Sequence, residues 1–326
     1  MNIIKRYWFM TGLTAVMLIT LADPTEVVPF TGEWFKSHSG ADLVILIMFF
    51  ISGLSLDLSE VKDGLLDYRG TFLALAFIFI VSPFMAWLFS FLPIPREIAV
   101  GLILVAVVPT TLTSGVVMTG SAGGNMAHAL LITILANSLV VLTLPVTLPL
   151  LLNLSGEPVV IDGAAIMVKM AKLVLFPLFL GMILKKRAEP AINKMPFRLS
   201  VISQILIWCL VWMALSGSRD ALIGNIRYIG LVIALSFIYH AVILAMVLLT
   251  VNNLRIPRGR RESILFMGGQ KTLTLAILLQ VSLFPDLGMA LAFCVIHHFI
   301  HLLMDGYLVG YLQRGDVKQS SKKSVQ

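Results

Sequence analysis

The sequence predicts an all-α polytopic membrane protein of ten transmembrane helices, built as two five-helix inverted repeats whose fourth and ninth helices are broken. Three observations carry this. Of 326 residues, 58% are hydrophobic and only 13% are charged, about half the charged share of a soluble domain. The apolar residues form continuous runs of membrane-spanning length, not the alternation of a β-barrel strand. Two of those runs, in corresponding positions of the two halves, are interrupted by Pro, Gly and polar residues, the pattern of discontinuous helices flanking a binding site near the bilayer midplane.

Ten apolar spans fall near residues 7–22, 41–56, 71–92, 97–119, 125–152, 163–184, 199–216, 227–250, 262–284 and 286–312. The first follows Lys5 and Arg6 and mimics a signal peptide. No small-x-small cleavage site follows it, so it is read as a span. Ten spans divide into residues 1–152 and 153–313. Five spans per half force the second half to insert upside down relative to the first. The tail, 314–326, is short, basic and Ser-rich, as in disordered segments.

Loop charge tests the count. With the N-terminus in the cytoplasm, seventeen of the 24 Lys and Arg lie on cytoplasmic segments, among them Lys62, Arg69, Lys185, Lys186, Arg187 and the cluster Arg255, Arg258, Arg260, Arg261. Only Lys36, Arg96, Arg219 and Arg227 lie opposite. This imbalance puts both termini in the cytoplasm, with the chain in the cell (inner or plasma) membrane. It also accounts for the net charge of +7 without a nucleic-acid partner. Cys209 and Cys294 sit in apolar runs with no disulfide or metal spacing. No phosphate loop is present to suggest ATP-driven pumping.

The ninth span reads Phe266-Met267-Gly268-Gly269-Gln270-Lys271-Thr272-Leu273-Thr274-Leu275. Lys271 lies ten residues beyond Arg261, near the midplane and too deep for easy snorkelling. An ionisable residue at that depth points to function. Its ammonium can hold an anion, replace a bound cation, or lose a proton. In the fourth span Pro109 removes an N–H and breaks the helix. Thr110, Thr111, Thr113 and Ser114 then supply hydroxyls and Gly115 close approach, although such residues also serve as interhelical glue. Half-helix N-termini at the breaks suit an anion. Thr133 and Asn137 share one face of the fifth span, for packing or for cavity lining. His297, His298, His301 and Asp305 share a face of the tenth, fitting a hydrogen-bonded face or proton relay better than a metal site. No Glu follows the first His as in helical zinc proteases, and no enzyme activity is expected. His240 stands alone in the eighth span and reads as packing.

Several stretches together resemble the bile acid:sodium symporter superfamily, solute carrier family 10 in mammals. They are Pro95 to Leu104, Val108-Pro109-Thr110-Thr111-Leu112-Thr113-Ser114-Gly115-Val116, Gly123-Gly124-Asn125 through Thr133 to Leu144-Pro145, and Phe176-Pro177-Leu178-Phe179-Leu180-Gly181. Lys271-Thr272-Leu273 and His298 are similar to the divergent SBF-like branch related to the seventh mammalian member. The resemblance implies a panel domain, a core domain with two crossed broken helices, a substrate crevice between them, and sodium behind the crossing. It also exposes departures. The family's Ser-Asn pair in the fourth span is Ser114-Gly115 here. Its Ser and Thr in the fifth are Ala129 and Thr133. Its Glu and Gln in the ninth are Phe266 and Gln270, and a Gln of the third falls at about Ile78. The sodium carboxylate is gone and Lys271 has appeared.

These readings converge on a secondary active transporter of a small organic anion working by alternating access. The site is expected to draw on Thr110, Thr111, Thr113, Ser114, Gly115, Thr133, Asn137, Gly268, Gly269, Gln270, Lys271 and Thr272, with a proton relay through His298, His301 and Asp305. Lys271, bonded to Gln270, Ser114, Thr133 and nearby carbonyls, would replace much of the sodium site, making transport sodium-independent or proton-coupled. Two alternatives stay open: a sodium-coupled symporter, and a membrane regulator that keeps the fold without transporting. No cofactor or metal is expected beyond that sodium ion, and the partners are the anion and membrane lipid.

Overall fold

The computed structural model describes residues 8–56, 67–156, 162–195 and 198–323. Lys5, Arg6 and Lys62 of the charge alternation lie outside them. Among the described residues all regular structure is helical: α1 Trp8–Ala22, α2 Val27–Ser37, α3 Gly40–Ser55, α4 Tyr68–Ser90, α5 Arg96–Val107, α6 Ser114–Ser121, α7 Met126–Leu154, α8 Gly163–Ile192, α9 Leu199–Ser216, α10 Arg219–Gly224, α11 Ile226–Asn253, α12 Arg260–Gly269, α13 Leu273–Leu283 and α14 Gly288–Lys323. Each stretch read as an apolar span is helical over most of its described residues, the fourth and ninth with a break inside. Seven helices, with α12 and α13 taken as one, are long and apolar enough to cross a membrane. The pair α1–α2 also passes that test but bends by 105°. The chain is an integral, polytopic membrane protein.

Helix α2 was not foreseen, since Pro29 and Gly32 interrupt a short, partly charged stretch. Asp23 starts it by accepting the Val28 amide (2.9 Å) and the Thr25 amide (2.9 Å), and Pro29 falls in the first turn, where a missing N–H does no harm. The backbone of α14 continues helically to Lys323, into the basic tail that composition marks as disordered.

The helices pack as two groups. α1, α2, α3, α8 and α9 lie against one another, and so do α4–α7 with α11–α14. In the first group α3 and α8 meet backbone to backbone. A Cβ on Gly53 would lie 2.1 Å from the Leu178 carbonyl oxygen, and one on Gly181 would lie 2.3 Å from that of Phe50. In the second group Asp67 caps α4 through the Gly70 amide (2.9 Å) and accepts from Nε and Nη2 of Arg260 at the start of α12. Burial opposes ionisation of Asp67, but the Arg260 guanidinium and the Gly70 amide outweigh it and hold the carboxyl below its usual range. Asp67→Asn keeps the cap and removes the ion pair. We expect a loss of about 1 kcal/mol at neutral pH. Because the folded-state pKa is depressed, that difference from wild type is full above about pH 4 and closes as acid protonates the wild-type carboxyl, which thermal unfolding across pH checks.

Two spans carry a π-helical turn, Phe77–Val81 in α4 and Ala171–Leu175 in α8. Each is followed two residues later by a proline, Pro83 and Pro177. In the first turn the Ser82 amide bonds the Phe77 carbonyl, five residues back. The carbonyl of Ile78 would take the next such amide, but Pro83 has none. Ile78 is therefore left with a free carbonyl deep in the bundle.

Candidate functional site

The two interrupted spans meet at their breaks. α5 ends at Val107 because Pro109 cannot continue it, and residues 108–113 are non-helical. α12 ends at Gly269, and Gln270 and Thr272 are extended (ψ 151° and 125°). The Thr272 amide donates to the Pro109 carbonyl at 2.9 Å, tying one break to the other. Both glycines before the break are there for close approach. A Cβ on Gly268 would lie 3.2 Å from Phe77 Cβ, and one on Gly269 3.0 Å from a Leu244 methyl. Their missing Cβ atoms face neighbouring helices, and neither glycine borders the cavity between the two helix groups.

Lys271 is 3% exposed. Its ammonium donates to three backbone carbonyls: Ala106 (2.7 Å), Ile78 (2.8 Å) and Val108 (3.1 Å). All three are oxygens that the helices cannot use. Ile78 is freed by Pro83, Ala106 lies in the last turn of α5, and Val108 lies in the break. The ammonium thus sits at a half-helix C-terminus, where the aligned peptide dipoles favour positive charge. Its hydrogen-bond partners are all backbone carbonyls. Gln270, Ser114 and Thr133, named with them, are engaged elsewhere.

Gln270 forms a second, adjoining network. Its carbonyl oxygen accepts from Thr111 (2.6 Å) and Ser114 (3.2 Å), and its amide donates to Asp305 Oδ2 (2.8 Å) and the Met118 sulfur (3.1 Å). The Thr111 hydroxyl also accepts the Gly115 amide (3.0 Å). A Cβ on Gly115 would lie 2.8 Å from the Met267 sulfur and 3.1 Å from both Gln270 Oε1 and Thr111 Oγ1, so an Asn here would displace the Gln270 network. Thr133 bonds its own helix at Ala129 (2.9 Å). Asn137 spans Thr133 (2.9 Å) and Thr110 (3.4 Å) through their carbonyls. Asn137 thus ties α7 to the break from behind. The buried Thr110 hydroxyl and Asn137 carbonyl oxygen have no partner.

Asp305, fully buried, also lies 3.0 Å from His240 Nε2 through its other oxygen. His240 is therefore part of the network and not simple packing. Its ring stands 5.6 Å from His301 and 5.8 Å from His297, and His301 stands 4.6 Å from His298. Both ring nitrogens of His297 and His301, and Nδ1 of His298, have no partner. Among the described residues no three His, Cys, Asp or Glu are grouped to hold a metal ion.

A cavity of about 680 Å³ opens between the two helix groups, bordered by Phe9, Met48 and Gln204 on one side and by the breaks on the other. Thr111, Thr113, Ser114, Thr272 and Thr274 line it, so the N-terminal turns of α6 and α13 face its interior. Among the described residues no Lys, Arg, Asp or Glu lines it, and His298 does. The Lys271 ammonium thus lies behind the breaks, and open helix N-termini lie in front.

A helical bundle with two facing half-helix breaks, a cavity at one side of them and a buried charge at the other, is the architecture of a membrane carrier. The chain belongs to the SBF-like CPA transporter family, whose model matches residues 7–314, and so to the transporters that its motifs resemble, not to the enzymes. It is 25% identical to "Probable sodium/metabolite cotransporter BASS4, chloroplastic" of Oryza sativa subsp. indica, over 96% of this chain and 77% of that one. It is 28% identical to "Uncharacterized sodium-dependent transporter YocS" of Bacillus subtilis over 74% and 72%, and 25% identical to "Sodium/bile acid cotransporter 7" of Mus musculus over 84% and 82%.

Proposed function

We propose that this protein is a secondary active transporter of a small organic anion, working by alternating access, in which Lys271 is a built-in cation replacing much of the family's sodium site. The observation that carries this reading is the ammonium held by Ile78, Ala106 and Val108 at the end of α5. Unwound carbonyls and half-helix C-termini are where such folds bind their coupling cation. The anion is read from the opposite surface. Two helix N-termini and seven Ser and Thr side chains line the cavity, and among the described residues no acidic side chain does; that environment favours negative charge. We further read residues 1–152 and 153–313 as inverted repeats of five spans. The contact pattern supports this, since each half gives its early helices to one group and its later helices to the other. The two groups then correspond to the panel and the core. The charge alternation supports a cell-membrane location with both termini cytoplasmic.

Proton coupling would run from His298 at the cavity through His301 and His240 to Asp305, a path supported by ring spacings of 4.6 and 5.6 Å. The second reading is a sodium-coupled symporter. It is favoured by the relatives' names and by the oxygens of Gln270, Ser114 and Thr133.

Thermal unfolding of purified protein in sodium against choline buffer separates the two. The wild type is expected to show no saturable sodium effect. Lys271→Ala vacates three carbonyls, and is expected to gain a sodium-dependent rise in midpoint by mass action. A saturable sodium shift in the wild type would instead return the chain to the symporters.

A further inference from the structure

Where α4 begins and α11 ends, a second cleft of about 640 Å³ opens on the bundle surface. Arg69, Arg255 and Arg260 line it, together with Tyr68, Phe72 and Leu254. Arg260 is committed to Asp67. Among the described residues neither Arg69 nor Arg255 has an acidic partner; Arg69 lies over the Tyr68 ring and bonds its hydroxyl (3.1 Å). Among the described residues the cleft therefore carries an excess of two positive charges. Its other wall is apolar and bare: Phe72 is 74% exposed, Tyr68 68% and Leu254 61%. At the end of a membrane span, such side chains face acyl chains, and the tyrosine marks the headgroup level.

The backbone adds an independent sign. α11 closes with the Ile256 amide on the Val251 carbonyl (2.9 Å) around Arg255, whose φ is +51°. That left-handed position usually belongs to Gly or Asn. An arginine held there against its preference, with no acidic partner among the described residues, is the kind of strained residue that marks a ligand site.

We propose that this cleft binds an anionic phospholipid, its phosphate held between Arg69 and Arg255 and its acyl chains lying along Phe72. Juxtamembrane arginines attract anionic headgroups by an amount equivalent to about fivefold in affinity each. The lipid would brace the α11–α12 turn and the start of α4, elements of the group that holds the broken helices.

The test uses the full chain in detergent, with thermal unfolding and native mass spectrometry after adding phosphatidylglycerol or phosphatidylcholine of matched chains, and inorganic phosphate in parallel. Phosphatidylglycerol is expected to raise the midpoint and stay bound, and phosphatidylcholine to do neither. In Arg69→Gln/Arg255→Gln the preference for the anionic lipid should fall about twentyfold or more, to the zwitterionic level. Arg255→Gly separates binding from folding. It relieves the left-handed strain, so its lipid-free midpoint should rise while its lipid response falls. Equal responses to the two lipids, or a full response in the double variant, would overturn the proposal. So would inorganic phosphate alone reproducing the effect, which would make the cleft a free-anion site.

Discussion

Lys271→Met is expected to abolish uptake in proteoliposomes and to lower the unfolding midpoint. Methionine matches the length of the side chain but leaves the carbonyls of Ile78, Ala106 and Val108 without a donor in a dry interior. An orphaned buried acceptor costs on the order of 1–3 kcal/mol. More is at stake than stability, because the breaks would lose the charge that lets four half-helix ends converge. Lys271→Arg should fail as well, since a planar guanidinium does not fit three acceptors converging on a compact ammonium. The assay needs a cargo, which a thermal-shift screen of small carboxylates and sulfates can supply. Undiminished uptake by Lys271→Met would sink the built-in cation.

The second large effect is expected at Asp305. It is fully buried and bound to Gln270, the residue before Lys271. Asp305→Asn removes the one carboxylate in this network and places an amide where His240 and the Gln270 amide both need an acceptor. Breaking a buried charge arrangement on one side only costs about 3–5 kcal/mol. Lys271→Met/Asp305→Asn should therefore be less destabilised than the sum of the single variants, with a coupling energy of about 1–3 kcal/mol in chemical denaturation. Strict additivity would mean that the two charges do not sense each other. Uptake by Asp305→Asn should fall close to background and lose its pH dependence if the histidine path carries protons.

Much of this was legible in the sequence because the bilayer simplifies the reading. Hydrophobic length alone marks the chain as a polytopic helical membrane protein, and among the described residues seven of its helices are long and apolar enough to cross a membrane. Gly268, Gly269 and Pro109 mark the breaks, because such residues survive at that depth only beside other protein. The importance of Lys271 follows from depth. Its partners do not, because backbone carbonyls have no letter in a sequence. The available signal was Pro83, five residues after Ile78, whose missing amide strips a carbonyl of its donor. His240 was misread because its partner lies 65 residues away on another helix. Thr133 and Asn137 were grouped with the cavity on the strength of a shared face, and a face does not say which neighbour it meets. The resemblance to sodium symporters named positions, and the geometry redistributed them between a cation nest, a Gln270 network and a brace.

In the proposed carrier, tethering the cation to the chain has an electrical consequence. A sodium ion that co-travels is released, so the empty carrier returns uncharged by it. An ammonium on the chain is never released. If the core group shifts across the membrane, Lys271 makes the trip in both directions. Loaded with a monovalent anion the moving part gains a compensating charge; unloaded it does not. The return stroke then feels the membrane potential, which is worth about 2.3 kcal/mol per charge per 100 mV across the full thickness. Voltage would then set the pace of a cycle that moves no sodium, and the carrier would leave a capacitive current as its signature.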